Sequence, residues 1–185
     1  MKIVSTEVQS PHRKGRTEAI ILFAVAGQTF AIAASAVGEI RSTDSFSSAA
    51  SEIVVNGLSK VRHRLHRGTK WYYVVNACAH FGLPVSRPTL VLILRNSSVA
   101  LLVDQIDRIE TISRLMAVPQ SFSGPERTWY RGLALIEESV VPVLSPSGFL
   151  THSELAQLDA LDEQATASAE RDTSPLPAEA QGTPL

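Results

Sequence analysis

The apolar residues of this chain come in short runs. Residues 19–25, 29–33, 71–75, 89–94, 99–103 and 140–144 are each of strand length, and turn-forming residues stand between them. Their β-branched and aromatic content suits a pleated, half-buried surface. None approaches the ~20 residues that cross a bilayer. Helical stretches of crossover length are missing, which argues against a parallel sheet built from βαβ units. Many short strands at close spacing argue instead for a mainly β fold, a small barrel or sandwich.

Turn signals order the runs into hairpins. Ala26-Gly27-Gln28 turns the chain between the first two strands, since Gly accepts positive φ. Residues 34–41 then read as a short helix with Ala36, Val37 and Ile40 on one side, and 42–51 as a Ser/Ala-rich loop. Strands are expected at 53–55 and 61–66, the second alternating in polarity, with Gly68-Thr69 turning into the strand at 71–75. A helical piece at 77–81 is closed by Gly82 and Pro84. Next come a hairpin from 89–94 and 99–103, a strand at 107–113, and a Pro/Gly loop at 116–127. A second hairpin joins 129–137 to 140–144, and Pro146 opens a final turn at 146–150. The body thus divides into two pieces of similar size.

Charge is unevenly placed. Residues 1–150 carry 16 basic and 11 acidic side chains, whereas 151–185 carry one basic and seven acidic. The formal total of −1 gives no global attraction to nucleic acid or anionic lipid. Residues 1–17 read as a flexible N-terminus without the pattern of a signal peptide, so a cytoplasmic protein with no direct membrane insertion is expected. Thr151-His-Ser-Glu154 matches a capping box, and Leu155, Leu158 and Leu161 follow at helical spacing. A short amphipathic helix is expected within 151–166, too short to persist unless docked. Residues 167–185, with Pro175, Pro177 and Pro184, lack the apolar content to order themselves and read as a disordered acidic tail.

Catalytic and metal chemistry find little support. One cysteine excludes an intramolecular disulfide and a Cys-rich zinc site. His63 and His66 lie three apart in a strand and point to opposite faces, so with Cys78 and His80 they make a poor ligand set. Cys78 reads as a small buried hydrophobe. Asp104 and Asp107 form a carboxylate pair by count only, and Glu137-Glu138 is a solvated turn. Gly27, Gly57 and Gly68 are isolated, far from any phosphate-loop spacing. Cofactors and metals are therefore not expected. The densest feature is basic: Lys60, Arg62, Arg64, Arg67 and Lys70, followed by Trp71, Tyr72 and Tyr73. It suits a solvated strand face, an acidic protein partner through Arg62 and Arg64, or, as an alternative, a small nucleic-acid-binding barrel. Trp129-Tyr130 fits an interface anchor or the core equally well.

Four stretches in order resemble the chemotaxis coupling protein family (CheW-like domains). They are Gly27 with Phe30-Ala31-Ile32 and Val37-Gly38-Glu39-Ile40; Arg67-Gly68 before Tyr72-Tyr73-Val74-Val75; Leu101-Leu102-Val103-Asp104; and Leu133-Ala134-Leu135 through Val140-Val141-Pro142-Val143-Leu144. Asn76 and Ser145 depart from the family's usual Asp. The resemblance spans residues 18–150. It implies two interleaved five-stranded SH3-like barrels with short helices and no catalysis. It also implies a bridging role between a histidine kinase's regulatory domain and the cytoplasmic tip of a methyl-accepting receptor. The partner-binding residues it implies are Arg67, Gly68, Val37, Glu39, Ile40 and Asp104.

Overall fold

The computed structural model describes residues 17–46 and 50–161. Among the described residues, eleven strands form two sheets. They are β1 (Glu18–Val25), β2 (Gln28–Ala33), β3 (Val37–Ser42), β4 (Ala50–Glu52), β5 (Val61–Arg67), β6 (Lys70–Asn76), β7 (Leu90–Leu94), β8 (Val99–Val103), β9 (Gln105–Ile112), β10 (Tyr130–Ile136) and β11 (Ser139–Leu144). Short helices α1 (Thr43–Phe46) and α2 (Ala77–Phe81) and a longer α3 over 152–161 complete the set. The first sheet, lobe 1, has the order β10-β11-β2-β1-β9, and the second, lobe 2, has the order β3-β7-β8-β6-β5-β4.

Without β4, the two orders are the same arrangement. In each, one hairpin (β1–β2, or β7–β8) is flanked by an antiparallel edge strand (β9, or β3). In each, its second strand runs parallel to the second strand of another hairpin (β10–β11, or β5–β6). The edge strands are exchanged. After β2 in lobe 1 the chain crosses to supply β3 of lobe 2, and after β8 in lobe 2 it crosses back to supply β9 of lobe 1. Each lobe therefore completes the other.

Packing explains the continuous apolar runs. In β1, Ile20 and Leu22 face a cluster inside lobe 1, while Ile21, Phe23 and Val25 face the cluster shared between the lobes. In β7, Val91 and Ile93 fill lobe 2, and Leu92 and Leu94 join the shared core. Strands buried on both faces lose the polar alternation of half-exposed ones. The shared core is the largest of the three and draws on both sheets, with Phe23, Leu92, Leu101 and Leu144 all fully buried.

Several local expectations are corrected. Residues 34–41 do not form one helix: a 3-10 turn at Ala34–Ala36 leads into strand β3, which pairs with β7. Gly38 and the β-branched Val37 and Ile40 are poor helix formers, and strand pairing with β7 decides the outcome. The loop expected at 42–51 contains α1 and the start of β4. Residues 53–55 are not a strand, and pairing with β5 falls to β4 instead. In β5 a bulge between Val61 and His63 shifts the side-chain phase. As a result Val61 faces the shared core and Leu65 the interior of lobe 2, rather than one common apolar face. Asn76 accepts a hydrogen bond from the Ala79 N–H and so caps α2, and Gly82 ends that helix at φ +65°.

The capping box at the head of α3 forms as expected. The Thr151 hydroxyl accepts from the Glu154 N–H (3.2 Å), and the Glu154 carboxylate accepts from the Thr151 N–H (2.7 Å). Leu158 sits at 1% exposure in the shared core. Lys60 pairs with Glu154 at 2.9 Å, and the Tyr73 hydroxyl donates to Asp159 at 2.6 Å. The flexible N-terminus and the acidic tail expected from sequence lie outside the described residues, apart from Thr17.

Candidate functional site

Each crossover between lobes is clamped by the hairpin of the lobe it enters. Asp104 sits where β8 hands over to β9. One carboxylate oxygen accepts from the Ala26 N–H at 2.6 Å in the β1–β2 turn, and the other accepts from the Ser86 hydroxyl at 2.5 Å. Its own N–H donates to the Ala24 carbonyl. The reciprocal crossover is held by Arg95 in the β7–β8 turn. There the backbone N–H donates to the Ala36 carbonyl and Nε donates to the Val37 carbonyl at 3.0 Å. Both Asp104 oxygens are thus engaged inside the chain, and Val37 is buried in the shared core. These two sequence-derived candidates position the crossovers rather than face outward.

Glu39, Arg67, Gly68 and Ile40 come together at the rim of lobe 2. Glu39 on β3 and Arg67 at the end of β5 belong to strands far apart in the sheet order, yet their side chains pair at 2.5 Å. The sheet has therefore rolled until β3 reaches β5, the curl of a barrel. Arg41 holds the other Glu39 oxygen at 2.7 Å. Gly68 turns the chain at φ +59°, and a Cβ there would meet nothing within 4 Å. Conformation, not space, calls for glycine at this position. Ile40 stands 43% exposed beside this charged cluster on edge strand β3.

The basic run divides between two faces. Arg64 lies opposite Tyr73 and His66 opposite Trp71 in the β5–β6 ladder, which places all four on one face. The Arg64 guanidinium rests 4.4 Å over the Trp71 ring, and His66 stacks against it at 4.5 Å. Lys70 approaches Tyr72 at 5.2 Å on the other face. Arg62 is exposed at the bulge. Because cationic and imidazole groups already occupy the Trp71 ring, it is not an open platform for a nucleic-acid base.

Two further surfaces escape sequence reasoning. Ile109 on β9, Leu135 on β10 and Val140 on β11 are 65%, 61% and 57% exposed on the outside of lobe 1. Leu135 and Val140 are cross-strand partners, and Ile109 lies on β9, the other edge of the sheet, next to Arg108, which pairs with Glu137 of the β10–β11 turn. Within its apolar run, Leu135 cannot be told from its buried neighbour Ala134 by residue type, so only the sheet reveals which faces water. Between β9 and β10 runs an open groove of about 580 Å³, bridged by an Arg108–Glu137 ion pair at 3.0 Å. At the joint of the lobes, Phe30, Phe81, Phe122 and Tyr130 line an apolar recess of about 230 Å³.

Trp129 is a half-buried part of that joint, against His80 (4.5 Å) and Phe81 (5.7 Å). His80 is itself buried among Phe81, Trp129 and Phe149, and neither ring nitrogen has a hydrogen-bond partner among the described residues. Burial, then the nearby Lys60 charge, lowers its pKa to about 4, against a smaller opposing pull from Glu154. It is therefore a neutral aromatic filler at neutral pH. Cys78 is buried, with its sulfur 3.0 Å from the Ser86 hydroxyl. Among the described residues no group of three or more His, Cys, Asp or Glu side chains is placed to hold a metal ion. No helix among them is long and apolar enough to cross a membrane.

Comparison with known proteins agrees with this architecture. The family model described as CheW-like domain matches residues 19–154. A solved structure, the scaffolding protein TtCheW from Thermoanaerobacter tengcongensis, superposes with a TM-score of 0.58 at 13% sequence identity. The match covers 70% of this chain and 90% of that one. Among curated proteins no sequence match is found.

Proposed function

The chain belongs to the CheW-like domain family, and from that premise we propose that it is a non-catalytic scaffold of chemotaxis-type signal transduction. In this reading it couples the regulatory domain of a histidine kinase to the cytoplasmic tip of a chemoreceptor, and it works in the cytoplasm. The observation that carries the reading is the pairing of two interlocked lobes with a different docking surface on each. Lobe 2 offers Ile40 beside the Glu39–Arg67 pair on edge strand β3. Lobe 1 offers the Ile109–Leu135–Val140 patch. Exposed edge strands and apolar patches rimmed by charge are the usual places where a partner strand or sheet adds on. Shared burial behind both surfaces keeps their separation rigid, which is what a bridge requires.

The test is a bridging assay with a chemotaxis-type kinase regulatory domain and a receptor-tip fragment. Leu135→Asp and Arg67→Ala, each with an unchanged fold by circular dichroism, are each expected to abolish the three-component complex. If the two variants block different single partners, the lobes divide the work. A ternary complex of full strength in both variants would overturn the reading.

A further inference from the structure

The scaffold reading makes no use of the recess at the joint of the lobes. Both lobes build it: Phe30 comes from β2 of lobe 1 and Phe81 from the end of α2 in lobe 2, and their rings stack at 4.6 Å with 10° between the planes. Val118 and Phe122, in the loop between β9 and β10, add a third wall. Hydrogen bonds fix that wall. The Phe122 N–H donates to the Pro119 carbonyl at 3.1 Å, and the Arg127 guanidinium donates to the carbonyls of Pro119 (3.0 Å) and Phe122 (3.1 Å). Phe122 meets Tyr130 edge-on at 6.3 Å, yet it stays 43% exposed. No charged side chain lines the recess. Its polar side chains are the Gln28 amide and the Tyr130 hydroxyl, and neither group bonds another described residue. Burial, then the Glu126 charge, raises the Tyr130 pKa, so the phenol stays a neutral donor.

We propose that this recess binds a small, neutral aromatic molecule of one ring or two fused rings, such as an indole. Size, charge and backbone pairing select that occupant. An apolar cavity of about 150 Å³ takes benzene, so about 230 Å³ holds a two-ring system. An ionised ligand would lose its hydration and find no opposite charge on the wall. One ring system fills the space, which leaves no room for the successive anchors of an amphipathic helix. An extended peptide finds no free ladder there, because β2 has a strand on each side and Pro142 of β11 has no N–H. Since Phe30 and Phe81 belong to different lobes, the ligand touches both and stabilises their joined state.

The experiment titrates indole into the ¹⁵N-labelled full chain. The side-chain N–H of Trp129, whose ring lies 5.7 Å from Phe81, is expected to shift and to saturate with a dissociation constant on the order of 0.1–1 mM. Trp71, which packs under Arg64 on β6, serves as the unmoved control. Phe122→Ala takes away one wall at an exposed position and is expected to weaken binding roughly 3–10-fold. Val118→Trp fills the recess and is expected to abolish the Trp129 shift. Indole-3-carboxylate, the same ring with an added charge, is expected to bind roughly 10-fold more weakly or worse. Saturating indole is expected to raise the urea midpoint of the unmodified chain. The absence of a saturable Trp129 shift up to about 5 mM indole would overturn the proposal. Undiminished affinity in Phe122→Ala, or equal binding of the carboxylate, would overturn it as well. No kinase or receptor enters the assay, so its failure leaves the scaffold reading intact, and failure of the bridging assay leaves this proposal intact.

Discussion

The two lobes share one strand arrangement but differ in how the chain builds them and in what they show to water. Lobe 2 comes from one continuous stretch, residues 37–103. Lobe 1 is assembled from the two ends of the body, β1–β2 and β9–β11, and closes only when segments some 80 residues apart meet. Their exteriors diverge as well. Lobe 2 carries the basic–aromatic strip and the Glu39–Arg67 pair, whereas lobe 1 carries an apolar patch of Ile109, Leu135 and Val140. Reciprocal exchange of edge strands joins one internal plan to two unlike outer surfaces. It also ties lobe 1 to lobe 2, since β1 meets its edge strand β9 only after the chain has passed through residues 37–103, and both lobes bury one face in the shared core.

The sharpest way to break the comparison is to ask whether the lobes unfold separately. Phe23 belongs to lobe 1 but is fully buried in the core shared with lobe 2. Phe23→Ala is expected to cost ~3–5 kcal/mol and to shift a single urea transition seen alike by far-ultraviolet circular dichroism and by tryptophan fluorescence. Two resolved transitions, one per lobe, would show that the exchange of strands does not couple them.

A second, smaller effect probes the joint. His80 of lobe 2 packs on Trp129 and Phe149, which close lobe 1. Burial first, and Lys60 next, depress its pKa from 6.5 to about 4. Between those values the unfolded chain takes up a proton that the folded chain refuses. Stability is therefore complete above about pH 6.5 and falls as pH drops toward 4, by on the order of 3 kcal/mol from this group. Urea midpoints at several pH values across that window measure the slope, and His80→Phe is expected to flatten it. An equally steep slope in that variant would place the acid sensitivity elsewhere.

The smallest expected effect separates stability from recognition. The Glu39–Arg67 pair is partly solvated, and such pairs contribute about 0.2–1 kcal/mol. Arg67→Ala is expected to leave the urea midpoint nearly unchanged while weakening partner capture by lobe 2. A loss of several kcal/mol would instead make the pair a structural closure of the rolled sheet.

Much of the fold is legible in the residues. Strands β1, β7 and β8 announce themselves because burial on both faces demands unbroken apolar runs. The β1–β2 turn, the α2 cap at Asn76–Gly82 and the capping box at Thr151–Glu154 follow from local backbone chemistry. The misread stretch at 34–41 shows the limit. Its apolar spacing fits a helix turn, but Val37–Ser42 finds its hydrogen bonds in β7, some 50 residues away. The bulge at Arg62 is equally silent, because an extra residue in a strand leaves no mark on composition. Of the site, Arg67-Gly68 and Glu39 can be picked out from the order of motifs, while their contact cannot. Nothing local distinguishes Leu135, which faces water, from Ala134, which does not.

What the amino-acid order determined alone is therefore the strands buried on both faces, their turns and their caps, since each depends on neighbours within a few residues. The exchange of edges, the meeting of Glu39 with Arg67, the burial of Val37, the tying of Asp104 to Ala26 and Ser86 and the exposure of Ile109 and Leu135 were decided by tertiary structure. Those outcomes depend on which distant strand completes each ladder, and hydrogen-bond pairing across 50–80 residues leaves no periodicity to read.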